Sequence, residues 1–224
     1  MKQSVDGVIL AAGRSRRMAT GDKAQAMLDG RTLLAHVADR FAPQVRQLVI
    51  NADPVRSRSP LPSQSPSQSP SQSPSQSPSQ SPSQLPYPLV KDALDGFRGP
   101  LVGLYSALLC EWLSDAPYLA LVPCDGPFLP DDLVDRLHQG ISTGSAQIAC
   151  ARYAGVAQPT FSMWRKDLFS TVERALLEDQ NGGFKPLMTA LNTVYIDWPT
   201  ELNAPFFNVN NSDDLARAER LLCV

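Results

Sequence analysis

Histidine is nearly missing from this chain: of 224 residues only His36 and His138 carry an imidazole. The four cysteines, Cys110, Cys124, Cys150 and Cys223, lie far apart and form no C-x-x-C pair. That combination gives neither a zinc framework nor a disulfide set. The cysteines are read as small apolar core residues and the histidines as ordinary helix residues. No apolar run approaches the ~20 residues that cross a bilayer, and the start "MKQSVDG" lacks the apolar region of a signal peptide. A soluble, cytoplasmic protein with no membrane partner is expected. Charge surplus is also absent: the net charge is -2, whereas a general nucleic-acid binder carries an excess of Lys and Arg over one face. No nucleic-acid partner is expected. What the chain does hold is core material, 43% hydrophobic against 19% charged residues, enough for one full domain.

One segment departs from that composition. From Ser57 the chain reads "SRSPLPSQSPSQSPSQSPSQSPSQSPSQLPYP", a Ser-Pro-Ser-Gln repeat. Proline every fourth residue removes backbone donors, and Ser and Gln offer nothing to bury, so neither helix nor sheet is expected. As a Pro-rich docking motif the repeat lacks an apolar or basic anchor and the P-x-x-P spacing. The expectation is a single domain over 1–224, interrupted by a disordered, inert insertion at about 57–86.

On either side, strand and helix patterns alternate. Val5 to Leu10, Gln47 to Asn51 ("QLVIN"), Pro88 to Val90 and Tyr118 to Val122 ("YLALV") read as strands, the last as one buried on both faces. Thr32 to Phe41 has helical spacing, with Thr32 as cap and Pro43 just past the end, and Gly103 to Trp112 reads as a second helix. The alternation predicts an α/β fold, a mostly parallel sheet with helices on both faces. Ligands bind such sheets at the carboxyl ends of strands. Ala11-Ala12-Gly13, Asn51 and Pro123-Cys124-Asp125 would then share one rim.

Into that rim runs "GVILAAGRSRRMATGDKAQ", residues 7–25. It is neither a Walker A loop, since no G-K-[ST] follows, nor a dinucleotide fingerprint, since the G-x-G-x-x-G spacing is absent. A turn of small residues lets backbone N–H groups approach phosphate oxygens, and Arg14, Arg16, Arg17 and Lys23 could neutralise phosphate charge. Alone, the stretch reads equally as a solvated charged turn.

It is followed, in order, by "LDGRTLLAHV", "VKDALDGFRGPLVGL", "VPCDGPFLP", "QPTFSMW" and "FNVNNSDDL". Together these resemble the molybdenum cofactor guanylyltransferases, a family of Rossmann-like nucleotidyltransferases whose first loop has the form L-A-x-G-x-x-x-R-M-x-x-x-D-K. The resemblance covers the chain apart from the repeat. Asp22-Lys23, "GPLVGL" and Asn208-Val209-Asn210 narrow it to this family. Ala12 and Ala19 stand where the family usually has glycine; a methyl at Ala12 is tolerable where φ is negative.

The resemblance implies a three-layer nucleotidyltransferase fold and transfer of GMP from GTP to molybdenum-bound molybdopterin, releasing pyrophosphate. Leu10, Ala11, Ala12 and Gly13 would line the nucleotide, and Lys23 and Arg17 would hold the triphosphate. Asn51 and Asp92 would contact the nucleoside, with Gly99 and Gly103 leaving room for it. Asp125 would bind Mg²⁺, and Asn208 and Asn210 would sit toward the pterin. A monomer is implied, with molybdoenzyme apoproteins, their chaperones and other cofactor-biosynthesis proteins as candidate partners. On the residues alone, Asp125 could be a strand-end cap, Asp92 a turn residue, and Asn208 and Asn210 helix-entry residues ahead of a cap at Asn211 or Ser212. Gln158-Pro159-Thr160 either borders the pterin cleft or starts a strand, and His36 is a packing residue. Rivals are a CTP-dependent sister enzyme, a sugar-phosphate or terpenoid-precursor nucleotidyltransferase, and a nucleotide-binding accessory protein without turnover.

Overall fold

The computed structural model describes residues 4–13, 23–53, 85–96, 99–113, 115–201 and 204–222. Arg14, Arg16, Arg17, Asp22, residues 54–84 of the repeat region and Cys223 lie outside them. A seven-stranded sheet forms from β1 (Val5–Leu10), β4 (Leu48–Asn51), β5 (Leu89–Val90), β6 (Tyr118–Pro123), β7 (Ile148–Tyr153), β8 (Val156–Arg165) and β9 (Thr193–Trp198). Their spatial order is β5-β4-β1-β6-β8-β7-β9. Pairs β1·β4, β1·β6, β4·β5 and β7·β9 are parallel, and β8 runs antiparallel to both β6 and β7. A ribbon of β2 (Met27–Leu28) and β3 (Arg31–Thr32) stands apart. The sheet is therefore mixed but mostly parallel, with β8 as the reversed strand.

Helices cover both faces because the strands are apolar on both. Val5 and Ile9 of β1, with Ala120 and Val122 of β6, join Leu34 and Phe41 of α1 (Leu33–Phe41) and Leu133 and Leu137 of α3 (Leu133–Ser142). Val8, Leu119 and Leu121 point the other way, into Leu101 and Leu104 of α2 (Pro100–Leu108), Val172 and Leu176 of α4 (Phe169–Leu177) and Phe184 of α5 (Phe184–Ala190). Fully burying each such Val, Leu or Phe stabilises by about 1.5–3 kcal/mol. A third cluster seats Ala218 of α6 (Ser212–Leu222) on Ala26, Leu28 and Leu33.

Local signals set the boundaries. The Thr32 hydroxyl accepts from Ala35 N at 3.1 Å and caps α1, and Asn211 Oδ1 accepts from Asp214 N at 2.9 Å to cap α6. The second predicted helix is displaced: α2 starts three residues earlier, at Pro100, and ends at Leu108, with Glu111–Leu113 forming a separate tight turn. Proline with its fixed φ suits the first turn of a helix, so "GP" was the start signal. His36 bonds Leu28 O through Nε2 at 2.8 Å, and His138 packs edge-on against Tyr118. Cys124 and Cys150 are buried as expected, whereas Cys110 is only half-buried. Among the described residues no helix is long and apolar enough to cross a membrane.

At the amino ends of the strands, Asp6 is fully buried and ion-paired. Arg46 reaches both of its oxygens, Nε to Oδ1 at 2.9 Å and Nη2 to Oδ2 at 3.2 Å. Lys166 adds a bond to Oδ2 at 2.6 Å and donates to the Leu113 carbonyl as well. One carboxylate thus ties β1 to the approach to β4 and to the turn after β8. Asp6→Ala should lower unfolding free energy by about 2–3 kcal/mol in urea titration, because Lys166 loses this counter-charge and Arg46 keeps only the exposed Asp115; an unchanged midpoint would show the cluster to be passive.

Burial in β7 pushes the Cys150 thiol up to about 11. The folded state keeps its proton where the unfolded chain releases it, so this stabilisation is complete below about pH 9 and fades as pH rises toward 11. Wild type should therefore lose more stability than Cys150→Ala between about pH 8 and about pH 10.5, read as the difference in urea midpoints.

Candidate active site

Parallel pairing decides which residues meet. β1 lies between β4 and β6 in a register that sets Leu10 beside Asn51 on one side and Pro123 on the other. Ala11 N then donates to Asn51 O at 2.8 Å and Cys124 N to Leu10 O at 3.1 Å, so the chain beyond each strand emerges at one rim. There the structure opens a cleft of about 710 Å³, a size suited to a small organic ligand.

Leu10, Ala12, Gly13, Lys23 and Asn51 line this cleft. Asp92, Gly99, Gly103, Asp125 and Asn208 line it too. Two predicted residues do not. Ala11 packs against the core beneath, because alternation along the strand turns it away from the opening. Asn210 sits behind Lys23 and bonds it. Arg17 lies outside the described residues. Ala12 is not among the residues of positive φ, so its methyl carries no backbone strain, and a Cβ built on Gly13 would meet nothing within 4 Å.

The centre of the cleft is an ion pair. Lys23 Nζ stands 2.9 Å from Asp125 Oδ2, both side chains mostly buried at 23% and 14% exposure. The same ammonium donates to Asn210 Oδ1, and Asn210 N donates to Asp214 Oδ2 at 2.9 Å. Val209 N donates to Asp125 O at 2.8 Å, which lays the Asn208–Asn210 stretch alongside Asp125. Asn208 Oδ1 is buried there with no hydrogen-bond partner among the described residues.

Toward β4 and β5 a second polar pair forms. Asn51 Nδ2 donates to Val90 O at 3.1 Å and to Asp92 Oδ1 at 2.9 Å. A Cβ on Gly103 would fall 2.6 Å from Asn51 Oδ1 and 2.6 Å from Leu10 Cδ2. At Gly99, whose φ is 150°, a Cβ would strike the Gly182 carbonyl. Both glycines line the cleft, and each is also pressed by a protein group, Asn51 at Gly103 and the Gly182 backbone at Gly99.

Asp53, Lys91 and Asp95 also line the cleft and were not singled out in the sequence. Their signal was position, each lying within a few residues of the carboxyl end of β4 or β5. Thr160 resolves an open choice both ways: it belongs to β8 and borders the cleft. Four aspartates and two lysines line the cleft among the described residues. Among the described residues no group of three His, Cys, Asp or Glu is placed to hold a metal ion.

Helices on both faces of a mostly parallel sheet, with a lysine and an aspartate paired in a cleft where its central strands end, define a Rossmann-like ligand-binding protein. A model of the MobA-like NTP transferase domain matches residues 7–194, and the chain belongs to that family. It is 36% identical over 220 residues, 96% of this chain and 92% of the relative, to a molybdenum cofactor guanylyltransferase of Rhodopseudomonas palustris (strain BisB5). The molybdopterin-guanine dinucleotide biosynthesis protein A of Archaeoglobus fulgidus shares its fold with a TM-score of 0.71 at 20% identity, over 97% of this chain and 98% of that one. A Mycobacterium tuberculosis H37Rv protein solved in complex with manganese also shares the fold, with a TM-score of 0.60 at 17% identity over 98% and 100% of the two chains.

The geometry at Gly103 makes a prediction. Gly103→Ala should stay folded, since alanine favours a helix, while displacing Asn51 and weakening nucleoside triphosphate binding about tenfold, or about 1.4 kcal/mol. Calorimetric titration reads this directly, and unaltered affinity would contradict the role given to the contact.

Proposed function

We propose that this protein transfers the GMP unit of GTP to molybdopterin, releasing pyrophosphate and forming molybdopterin guanine dinucleotide. The reading is carried by the way the cleft crosses the sheet rim. The Asn51–Asp92 pair lies on its β4–β5 side, Lys23 and Asp125 stand at β1 and β6, and Thr160 of β8 borders it beyond them. Two substrates and a reacting centre between them fit that order, and full-length similarity to molybdenum cofactor guanylyltransferases supports the choice of substrates.

On the β4–β5 side, guanine presents N1–H and its 2-amino group as adjacent donors. The Asp92 carboxylate accepts both, because each oxygen can take two bonds and Asn51 occupies only one position on Oδ1. At the centre, the nucleophile is the terminal phosphate of molybdopterin, a monoester with a second pKa near ~6 and so largely dianionic at neutral pH. Its oxygen forms a bond to the α-phosphorus of GTP while the bond from that phosphorus to the bridging oxygen breaks, and pyrophosphate takes the electron pair. No protein base is required, which accounts for a cleft without histidine. The chain must supply alignment and positive charge. Lys23 turns from Asp125 toward the phosphates, and Asn210 keeps its ammonium in place from behind. Arg17, from the basic loop, would add a second cation.

A divalent cation fits the donor set. Magnesium takes oxygen ligands, commonly one or two carboxylates plus substrate phosphates. Asp125 and the unpartnered Asn208 Oδ1 are such oxygens, and these two residues would hold it. When bound it supplies charge neutralisation at the phosphates. Thr160 and the remainder of the cleft on the β8 side would face the pterin. We read the chain as one domain over 1–224 whose Ser/Pro/Gln insertion, at about 57–86, takes no part in the reaction.

Asp125→Asn, nearly isosteric, should remain folded and lose at least about a hundredfold in GTP-dependent pyrophosphate release with molybdopterin present. Lys23→Ala should lower the maximal rate by a larger factor than it weakens GTP binding, since its charge matters most as pyrophosphate departs. Wild-type turnover by folded Asp125→Asn would remove the basis of the assignment, and equal losses of rate and binding would make Lys23 a ground-state anchor only.

A further inference from the structure

Ser106 is a polar residue in the otherwise apolar helix "PLVGLYSAL" and is only 2% exposed. It follows Gly103 by three residues, so the two share one face of α2, and Gly99 caps the helix just before its first turn. That face meets the nucleoside side of the cleft, where Gly103 abuts Asn51. Ser106 Oγ donates to Val102 O at 2.7 Å and accepts from Ala93 N at 2.9 Å. The first bond has a directional consequence. A helical serine that gives its proton to the carbonyl four residues back leaves its lone pairs facing outward. The Ala93 N–H fills that acceptor position.

Ala93 directly follows Asp92, whose Oδ1 accepts from Asn51 Nδ2. Asp92 is therefore held from two directions, through its side chain by Asn51 on β4 and through the next peptide by Ser106 on α2. The loop that carries Asp92, beyond β5, is no part of a helix or strand through Gly96. Its placement against the cleft depends on such side-chain ties. We propose that Ser106 is a positioning residue for base selection: its hydroxyl fixes the peptide after Asp92, so that the carboxylate meets the paired donors of guanine. This rests on the reading that Asp92 recognises the base.

The experiment compares GTP with ITP, which keeps N1–H and lacks the 2-amino group, as substrates for wild type, Ser106→Ala, Ser106→Thr and Asp92→Asn. Ser106→Ala should raise KM for GTP about tenfold, leave kcat within about twofold and erode the preference for GTP over ITP by a similar factor. Ser106→Thr retains a hydroxyl and should keep a preference close to wild type. If Ser106→Ala does not fold, Ser106→Cys, similar in size but with a weak sulfur acceptor, carries the same expectation. Loss of preference in Asp92→Asn with none in the Ser106 variants would overturn the inference and leave the Asp92 reading intact. An unchanged preference in Asp92→Asn would overturn the Asp92 reading itself. Equal loss of preference in the Ala and Thr variants would show a packing effect and would also overturn the proposal.

Discussion

The register of β1 between β4 and β6 is the constraint on which the site depends. Parallel neighbours end on the same side, so pairing Leu10 with Asn51 and with Pro123 brings three loops to one rim. A slip of one residue would turn every side chain of β1 to the opposite face. Val5, Val8 and Ile9 are fully buried on their respective faces, and the register is held because a Cβ at Gly7 would fall 2.8 Å from the Phe41 ring and 3.0 Å from Val45, so a slip would drive a side chain into them. At the other end of the same strand, Asp6 with Arg46 and Lys166 fixes its start. The cleft is thus positioned by a strand that is locked at both ends and on both faces.

Charge within the cleft is arranged for exchange. Four aspartates face two lysines among the described lining residues, an acidic balance for a site proposed to take a triphosphate. Without ligand, the Lys23 ammonium is shared between Asp125 and Asn210, which keeps both charges compensated in a mostly buried place. In the proposed reaction a triphosphate would offer Lys23 stronger partners, leaving oxygens of Asp125 and Asn208 to hold a divalent cation. Such a site favours a transfer driven by alignment and electrostatics over one that needs a proton carrier.

Much of this was legible in the sequence, because strand and capping signals are local. β1 runs over the predicted residues, Thr32 caps α1, and Asn211 caps α6. The rim was legible too, as strands buried on both faces imply parallel neighbours and a common carboxyl edge. Less local features were not. The reversal of β8 depends on pairing with strands far away in sequence. The start of α2 at Pro100 was overlooked although proline favours a first helical turn. Gly99 and Gly103 line the cleft, but that they also make way for Gly182 and Asn51 is a contact that no spacing rule reveals. The bond from Lys23 to the Asn210 oxygen, across 187 positions of the chain, was not legible either. The bond from Ala93 N to Ser106 Oγ joins a loop to a helix and has no local signal in the sequence.

The central claim is that this cleft joins one guanylyl unit to molybdopterin. The most direct measurement offers molybdopterin together with GTP, ATP, CTP and UTP at equal concentration, and records both the mass of the dinucleotide formed and the pyrophosphate released. The account predicts the guanine dinucleotide as the main product, one pyrophosphate for each, and no pyrophosphate without molybdopterin. A predominantly cytosine product, or pyrophosphate release that does not depend on molybdopterin, would contradict it.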